Sequence, residues 1–224
     1  MGGMLSRRFD HVVFDLDGTL LNTLEDLALA GNHVCRANGW PEFSIDTYRF
    51  KVGNGIFKLI ERIVPAEFAG DAVVCERALE QFRTYYAQHK EDHTAPYCGV
   101  TDMLDGLLGC GLTLAVLTNK AHAAAAPLVE RYFGEGRFAY VQGHVDPFPP
   151  KPDAGITKRL LEELDADPAR TLYVGDSSVD VATGHNAGLP VVGVTWGFRG
   201  RTELAASGAD WIIDHPEDLL QLVK

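Results

Sequence analysis

The stretch His11-Val12-Val13-Phe14-Asp15-Leu16-Asp17-Gly18-Thr19 decides how the rest of the chain is read. Its first half is short, apolar and β-branched, and it runs into the turn pair Asp17-Gly18. It therefore predicts a buried strand that stops at a tight turn. Runs of the same character recur at 112–117, 138–141, 171–174, 190–194 and 211–213. Between them lie helix-like stretches at 100–109, 121–133, 153–165, 177–187, 201–207 and 216–223. Near-continuous apolar strands alternating with helices predict an α/β fold, a parallel sheet covered on both faces.

Residues 22–92 break this rhythm. They contain no convincing strand, while 22–38 carries Leu24, Leu27, Ala28 and Val34 at helical spacing, and 54–64 and 72–89 look similar. This predicts a helical insertion after the first strand, with hinges at 20–23 and 94–99. Ligands of open parallel sheets bind at the carboxyl ends of the strands, so an insertion leaving there would overhang the site like a lid.

Bulk properties bound the function. The 224 residues amount to roughly one and a half domains of ordinary size. The 31 acidic residues exceed the 20 basic ones, for a net charge of -11, which disfavours phosphate backbones and anionic lipid as main partners. The composition, 46% hydrophobic and 23% charged, is that of a globular protein. Cys35, Cys75, Cys98 and Cys110 form no C-x-x-C pair and are too sparse for a disulfide framework, so a reducing cytoplasm is expected. The polar, basic stretch from Met1 to Asp10 does not read as a signal peptide, and no apolar run approaches a bilayer span.

Four short segments follow four of the expected strands. Asp15 and Asp17 place two carboxylates where burial would require a cation or donors, unless they are solvated acids of a strand-ending turn. Thr118-Asn119-Lys120 offers a hydroxyl and an amide at the expected start of a helix, suited to an anion, with a plain N-cap at Thr118 as the alternative. Lys151, between Pro150 and Pro152, is either a charge held in a stiff loop or a solvated linker lysine. In Gly175-Asp176-Ser177-Ser178-Val179-Asp180, a helix starting near Ser177 puts Asp176 and Asp180 one turn apart, unless they are simply a cap and a surface acid. Four charged segments at four sheet ends are hard to ascribe to accident.

In that order, Asp15-x-Asp17-Gly18-Thr19, Thr118, Lys151 and Gly175-Asp176-x-x-x-Asp180 resemble the four motifs of the haloacid-dehalogenase-like phosphohydrolases, over nearly the whole chain. The insertion resembles a type-one cap. Val52-Gly53-Asn54-Gly55, Leu117-Thr118-Asn119-Lys120, Asn186-Ala187-Gly188-Leu189-Pro190 and Gly193-Val194-Thr195-Trp196-Gly197 resemble the phosphoglycolate phosphatase branch. The resemblance implies a three-layer, Rossmann-like core at 1–20 and 94–224 and a helical cap domain at 21–93. It implies a phosphatase of small phosphorylated metabolites, phosphoglycolate first among them, working through an aspartyl-phosphate on Asp15. Asp17 would be the general acid and base, its initial proton favoured by a neighbouring carboxylate. Thr118, Asn119, Lys151 and Gly18 would contact the phosphate. Mg²⁺ would be held by Asp15, Asp176 and the backbone carbonyl of Asp17, with Asp180 orienting the site from behind.

Two departures lie outside these motifs: Asn22-Thr23 stands where Asp followed by Ser or Thr is common, and Cys98 where proline is common in the return hinge. His89 and His93, four apart, are expected at the exposed end of the last cap helix rather than on a metal. Trp196 and Phe198 either rim the cleft or pack in the core. Gly53 and Gly55 suggest a specificity loop with Arg49 or Lys51 nearby, or a helix-breaking turn. The alternatives within the same superfamily are a sugar phosphomutase and a pyrophosphatase. Asp17 argues against a dehalogenase, and a phosphonatase would need a cap lysine, Lys51 or Lys58, as Schiff base. Outside enzymes, a phosphometabolite sensor would have no use for both Asp15 and Asp17. Oligomeric state is left open.

Overall fold

A computed structural model describes residues 8–223; residues 1–7 and 224, which include most of the basic N-terminal stretch, lie outside the described residues. Six parallel strands form the central sheet in the order β5-β4-β1-β6-β7-β8. They are β1 (His11–Phe14), β4 (Thr113–Ala121), β5 (Tyr140–His144), β6 (Thr171–Gly175), β7 (Val191–Val194) and β8 (Trp211–Ile213). Side chains alternate across the sheet, and each face is covered. Val12 and Phe14 join the cluster built with α5 (Val100–Gly109), α6 (His122–Phe133) and α10 (Leu219–Leu222). Val13 points the other way, into the cluster with α7 (Ala154–Glu163), α8 (Ser178–Asn186) and α9 (Arg201–Ala206). The fold is the three-layer, Rossmann-like α/β architecture.

Between residues 23 and 94 the chain makes four α-helices: α1 (Leu24–Ala37), α2 (Ile45–Tyr48), α3 (Ile56–Ile63) and α4 (Ala72–His89). They pack on a cluster of their own, with Tyr48, Leu59, Ile60 and Phe82 fully buried. One residue from the sheet side, Phe198, joins it. The chain leaves and re-enters the sheet region through β2 (Leu21–Asn22) and β3 (Ala95–Pro96), which pair antiparallel with Asn22 opposite Ala95. No helix among the described residues is long and apolar enough to cross a membrane.

Two expectations need correction. β4 runs on past residue 117 to Ala121, with a register irregularity against β5 between Leu117 and Ala121. Thr118-Asn119-Lys120 is therefore strand, and Thr118 is not a helix cap; α6 begins at His122 behind Ala121, without a side-chain cap. The apolar run gave no sign of this because polar residues at a buried strand end are invisible to hydropathy. The first strand is also shorter than the apolar run suggests: it ends at Phe14, and Asp15 and Leu16 already belong to the loop.

α8 sits close to the sheet because Gly184 has no side chain. A methyl there would stand 2.3 Å from Val191 Cγ2. Gly184→Ala should destabilise the protein by about 1–3 kcal/mol through overpacking, read as a drop of several degrees in the thermal unfolding midpoint. An unchanged midpoint would mean that α8 can shift freely on the sheet.

Candidate active site

The position of β1 creates the site. Its two neighbours run to opposite edges of the sheet, which is where parallel sheets open a crevice at the strand ends. Register makes the ends level: Phe14 pairs with Val116 on one side and Val174 on the other, and the Asp15 N–H donates to the Val174 carbonyl at 2.9 Å. The loops after β1 and β6 and the C-terminal end of β4 thus converge on one point.

The β1 loop closes as a tight turn, in which the N–H groups of Leu20 and Leu21 both reach the Leu16 carbonyl, and that of Gly18 reaches Leu21. Gly18 has φ +89°, and a Cβ there would fall 2.6 Å from Asp176 Oδ2. On the other side, a Cβ on Gly197 would meet Asp176 Cβ and the Gly18 carbonyl at 2.3 Å. Two glycines therefore make room for the Asp176 carboxylate against the β1 loop.

Asp15, Asp176 and Asp180, all buried, bring one oxygen each within 4.8 Å of one another. A single cation, Lys151, is set among them. Its Nζ lies 2.9 Å from Asp15 Oδ1 and donates to Asp180 Oδ1 at 2.8 Å and to the Tyr173 hydroxyl at 3.1 Å. The Lys151 backbone is fixed in turn, its N–H donating to Asn119 Oδ1 at 2.7 Å. Asp180 is held from behind by a capping box at the start of α8, accepting from the N–H and hydroxyl of Ser177. Asp176 accepts the Phe198 N–H at 2.6 Å.

Burial works against all these charges, and their partners answer it unequally. The Asp15 carboxyl is pushed up to about 7, chiefly by burial and by Asp180 and Asp17, against the pull of Lys151. Burial, then Asp180 and Asp15, push Asp176 well above the usual carboxylate range. Lys151 is raised as well, although burial alone would lower it: Asp15, Asp180 and Tyr173 outweigh the burial, so its charge is secure. Three buried carboxylates around one ammonium form an oxygen-rich, electron-rich pocket that a hard divalent cation would balance, so the residues fit a metal of that kind.

Asp17 is bound to a different set of partners. Its carboxylate accepts from the Thr23 hydroxyl at 2.8 Å and from Lys120 Nζ at 3.1 and 3.2 Å. The charged group touching Asp17 is thus the Lys120 ammonium. Lys120 also donates to the Tyr86 hydroxyl of α4 at 2.7 Å. The lysine is held charged despite burial by Asp17 and Tyr86, and burial pushes the Tyr86 phenol up to about 12.

The remaining residues singled out in the sequence fall as follows. Thr118 is buried and its hydroxyl accepts from the Lys120 N–H at 3.2 Å. The Asn119 side chain is occupied by backbone, since beyond Lys151 N it donates to the carbonyls of Gly53 and Lys151. Gly53 and Gly55 border the cleft, whereas Arg49 reaches the Gly197 carbonyl and Lys51 the Arg62 carbonyl. Thr23 precedes α1 but does not cap it, its hydroxyl being spent on Asp17, while Asn22 Oδ1 accepts from Leu24 N. His89 meets Asp92 and His93 lies by Glu25, separately. Trp196 donates to the Thr19 carbonyl, and Phe198 packs among the inserted helices.

Above these residues is a cavity of about 330 Å³. Its floor is Asp15, Asp17, Thr118, Asn119 and Lys120; its walls include Leu27, Val52, Ile56, Leu59 and Phe82 from the inserted segment.

A buried acid pair opposite a lysine at the switch point of a parallel sheet, roofed by helices inserted after the first strand, defines a class of phosphoryl-processing hydrolases. The haloacid dehalogenase-like hydrolase profile matches residues 12–194, and the chain belongs to that family. Within the family it groups with the phosphoglycolate phosphatase-like branch and is a phosphoric monoester hydrolase. It is 34% identical over 216 residues to a phosphoglycolate phosphatase of Chromobacterium violaceum, covering 95% of this chain and 96% of that one. It is 35% identical over 201 residues to that of Thiobacillus denitrificans, covering 86% and 87%. A crystal structure from Haemophilus somnus, described as a predicted phosphoglycolate phosphatase, superposes with a TM-score of 0.89 at 30% identity, covering 97% of this chain and 99% of that chain.

The Lys120–Asp17 contact makes a separable prediction. Lys120→Met should destabilise the fold by about 3 kcal/mol, because it leaves Asp17 without its cation. Adding Asp17→Asn should restore most of that loss in a double-mutant cycle read by urea unfolding. Strict additivity of the two changes would show that the pair is not coupled.

Proposed function

We propose that the protein is a Mg²⁺-dependent phosphatase of a small phosphorylated metabolite, with phosphoglycolate the first candidate, and that it works through an aspartyl-phosphate on Asp15. The observation that carries this is the meeting of Asp15, Lys151 and Asp176 at one strand-end crevice, with Asp17 beside Asp15 in the floor of the same cavity. In this reading residues 21–93 are the cap domain and 1–20 with 94–224 the core domain, the substrate lying between them. The naming of the relatives in the branch supports phosphoglycolate.

An Asp15 oxygen attacks phosphorus and the bond from phosphorus to the ester oxygen breaks. The departing oxygen takes a proton from Asp17, giving an alcohol and a phosphorylated Asp15. Asp17 then takes a proton from water, whose oxygen attacks the phosphoaspartate, releasing phosphate and restoring the Asp15 carboxylate. Lys151 offsets negative charge on Asp15 and the phosphoryl oxygens. Thr118, its oxygen already accepting from Lys120, is free to donate its hydroxyl hydrogen to a phosphoryl oxygen. Asn119 acts through the backbone of Lys151, and Gly18 through the room it leaves for Asp176. Mg²⁺, held by Asp15, Asp176 and the Asp17 carbonyl, would supply charge neutralisation, with Asp180 orienting the site through Lys151. Cys35 and Cys75, buried as free thiols, suit a reducing cytoplasmic setting.

Phosphate release across a panel of phosphorylated metabolites with Mg²⁺ tests the reading directly. Asp15→Asn should lower turnover by about three orders of magnitude or more, and chelation of the metal should abolish it reversibly. Undiminished hydrolysis by Asp15→Asn would overturn the mechanism. Activity that survives exhaustive chelation would overturn the metal dependence.

A further inference from the structure

The cations around the cleft are not equally committed. Lys151 is shared by Asp15 and Asp180, and Lys120 is bound to Asp17 and Tyr86. Arg49, Lys51 and Arg199 are tied to backbone carbonyls at Gly197, Arg62 and Val52. Two others line the same cavity from its roof, Arg83 and Lys90. Among the described residues neither makes a hydrogen bond or an ion pair. In a chain with 31 acidic and 20 basic residues, two basic groups left unmatched beside one cleft are a specific arrangement.

Helix geometry explains how they come to share it. Arg83, Tyr86 and Ala87 on α4 and its C-cap residue Lys90, whose backbone is still helical, stand at i, i+3, i+4 and i+7, so they share one face of the helix end, and all four border the cavity. Tyr86 is the buried member, fixed to Lys120 over Asp17, while Arg83 is exposed and Lys90 half-buried. Both cations therefore flank the residue that ties α4 to the floor. The walls between roof and floor are the side chains of Leu27, Val52, Ile56, Leu59 and Phe82. An ester bound there would lose water on its sides, and a charge at its far end would interact strongly with whatever ion it met.

We propose that Arg83 and Lys90 form an anion subsite in the roof of the cleft that takes a carboxylate on the leaving-group side of the phosphate ester. The substrate class is then the short phosphorylated carboxylic acids. The inference rests on the phosphatase reading for which end of the substrate faces Asp15, and goes beyond it in naming the groups that choose the substrate. A guanidinium can take a carboxylate through two parallel hydrogen bonds, and Lys90 adds a second positive charge. An ester whose leaving group is neutral leaves both cations as they are and gains nothing from them. The discrimination is thus built from remote binding energy that acts on anionic substrates alone.

Phosphoglycolate and ethyl phosphate, similar in length and differing in the carboxylate, separate the effects. Wild-type kcat/KM should favour phosphoglycolate strongly. Arg83→Gln and Lys90→Gln should each reduce that preference about tenfold or more, while kcat/KM for ethyl phosphate stays within about twofold of wild type. Arg83→Lys should recover part of the preference. Parallel loss on both esters, or an unchanged preference, would overturn the subsite. Calorimetric binding of phosphoglycolate to Asp15→Asn, with and without Arg83→Gln, reads the subsite independently of turnover. Weakening by about tenfold supports it, and equal affinity overturns it. Failure of the wild-type protein to hydrolyse either ester would count against the phosphatase reading alone.

Discussion

One buried ammonium holds the centre of the molecule together. Lys151 is 3% exposed and stands among acids that are buried to the same degree, so neither side of the interaction has water to fall back on. The desolvation of such groups is recovered only when geometry is tight and the remaining lone pairs are matched. The surroundings of Lys151 supply that matching piece by piece. Asn119 fixes its backbone, Tyr173 gives its ammonium a further acceptor, and the Ser177 capping box steadies Asp180. Asp176 is the acid least well served, with the Phe198 N–H against it and two glycines leaving it space. The imbalance is local to this acid and marks where positive charge is wanted.

The inserted helices are attached to the sheet region by polar contacts that repeatedly use main-chain atoms. Arg49 reaches the Gly197 carbonyl, Arg199 the Val52 carbonyl, and Asn119 the Gly53 carbonyl. Contacts to carbonyls constrain where the two layers sit while leaving neighbouring side chains free to vary. Lys120 is the exception, because its partner is the Tyr86 side chain and its other partner is Asp17. Through it, the placement of α4 and the placement of the Asp17 carboxylate are parts of one network.

Much of the fold was legible because its strands are buried on both faces and announce themselves as apolar runs, and because α4 spans 72–89, the limits its periodicity suggests. The convergence of acids and lysine could also be read, since it depends on strand ends and these follow from topology. What escaped was held in residues whose sequence signal is ambiguous. Lys120 was hidden by reading 118–120 as the entry to a helix; in a strand, 118 and 120 share a side, and the lysine would have stood out beside Thr118. Tyr173 looked like one more apolar strand residue, although a buried hydroxyl requires a partner. Arg49 and Lys51 drew attention by lying close in sequence to Gly53 and Gly55. The basic residues that border the cavity besides Lys120 are instead Arg83 on α4 and Lys90 at its C-terminal cap, about thirty positions away, which no local pattern could indicate.

The short ribbon of β2 and β3 has a bearing on how such a molecule can change over generations. Because Asn22 sits opposite Ala95, everything between them departs and returns through a single doorway, and the distance the chain must bridge there is nearly nil. The entropy of closing so long an excursion grows only slowly with its length. Helices can therefore be lengthened, reshuffled or swapped beyond that doorway without disturbing the register of β1 against β4 and β6. Novel chemistry of recognition can be tried in one half of the protein while the reacting groups in the other half stay as they are.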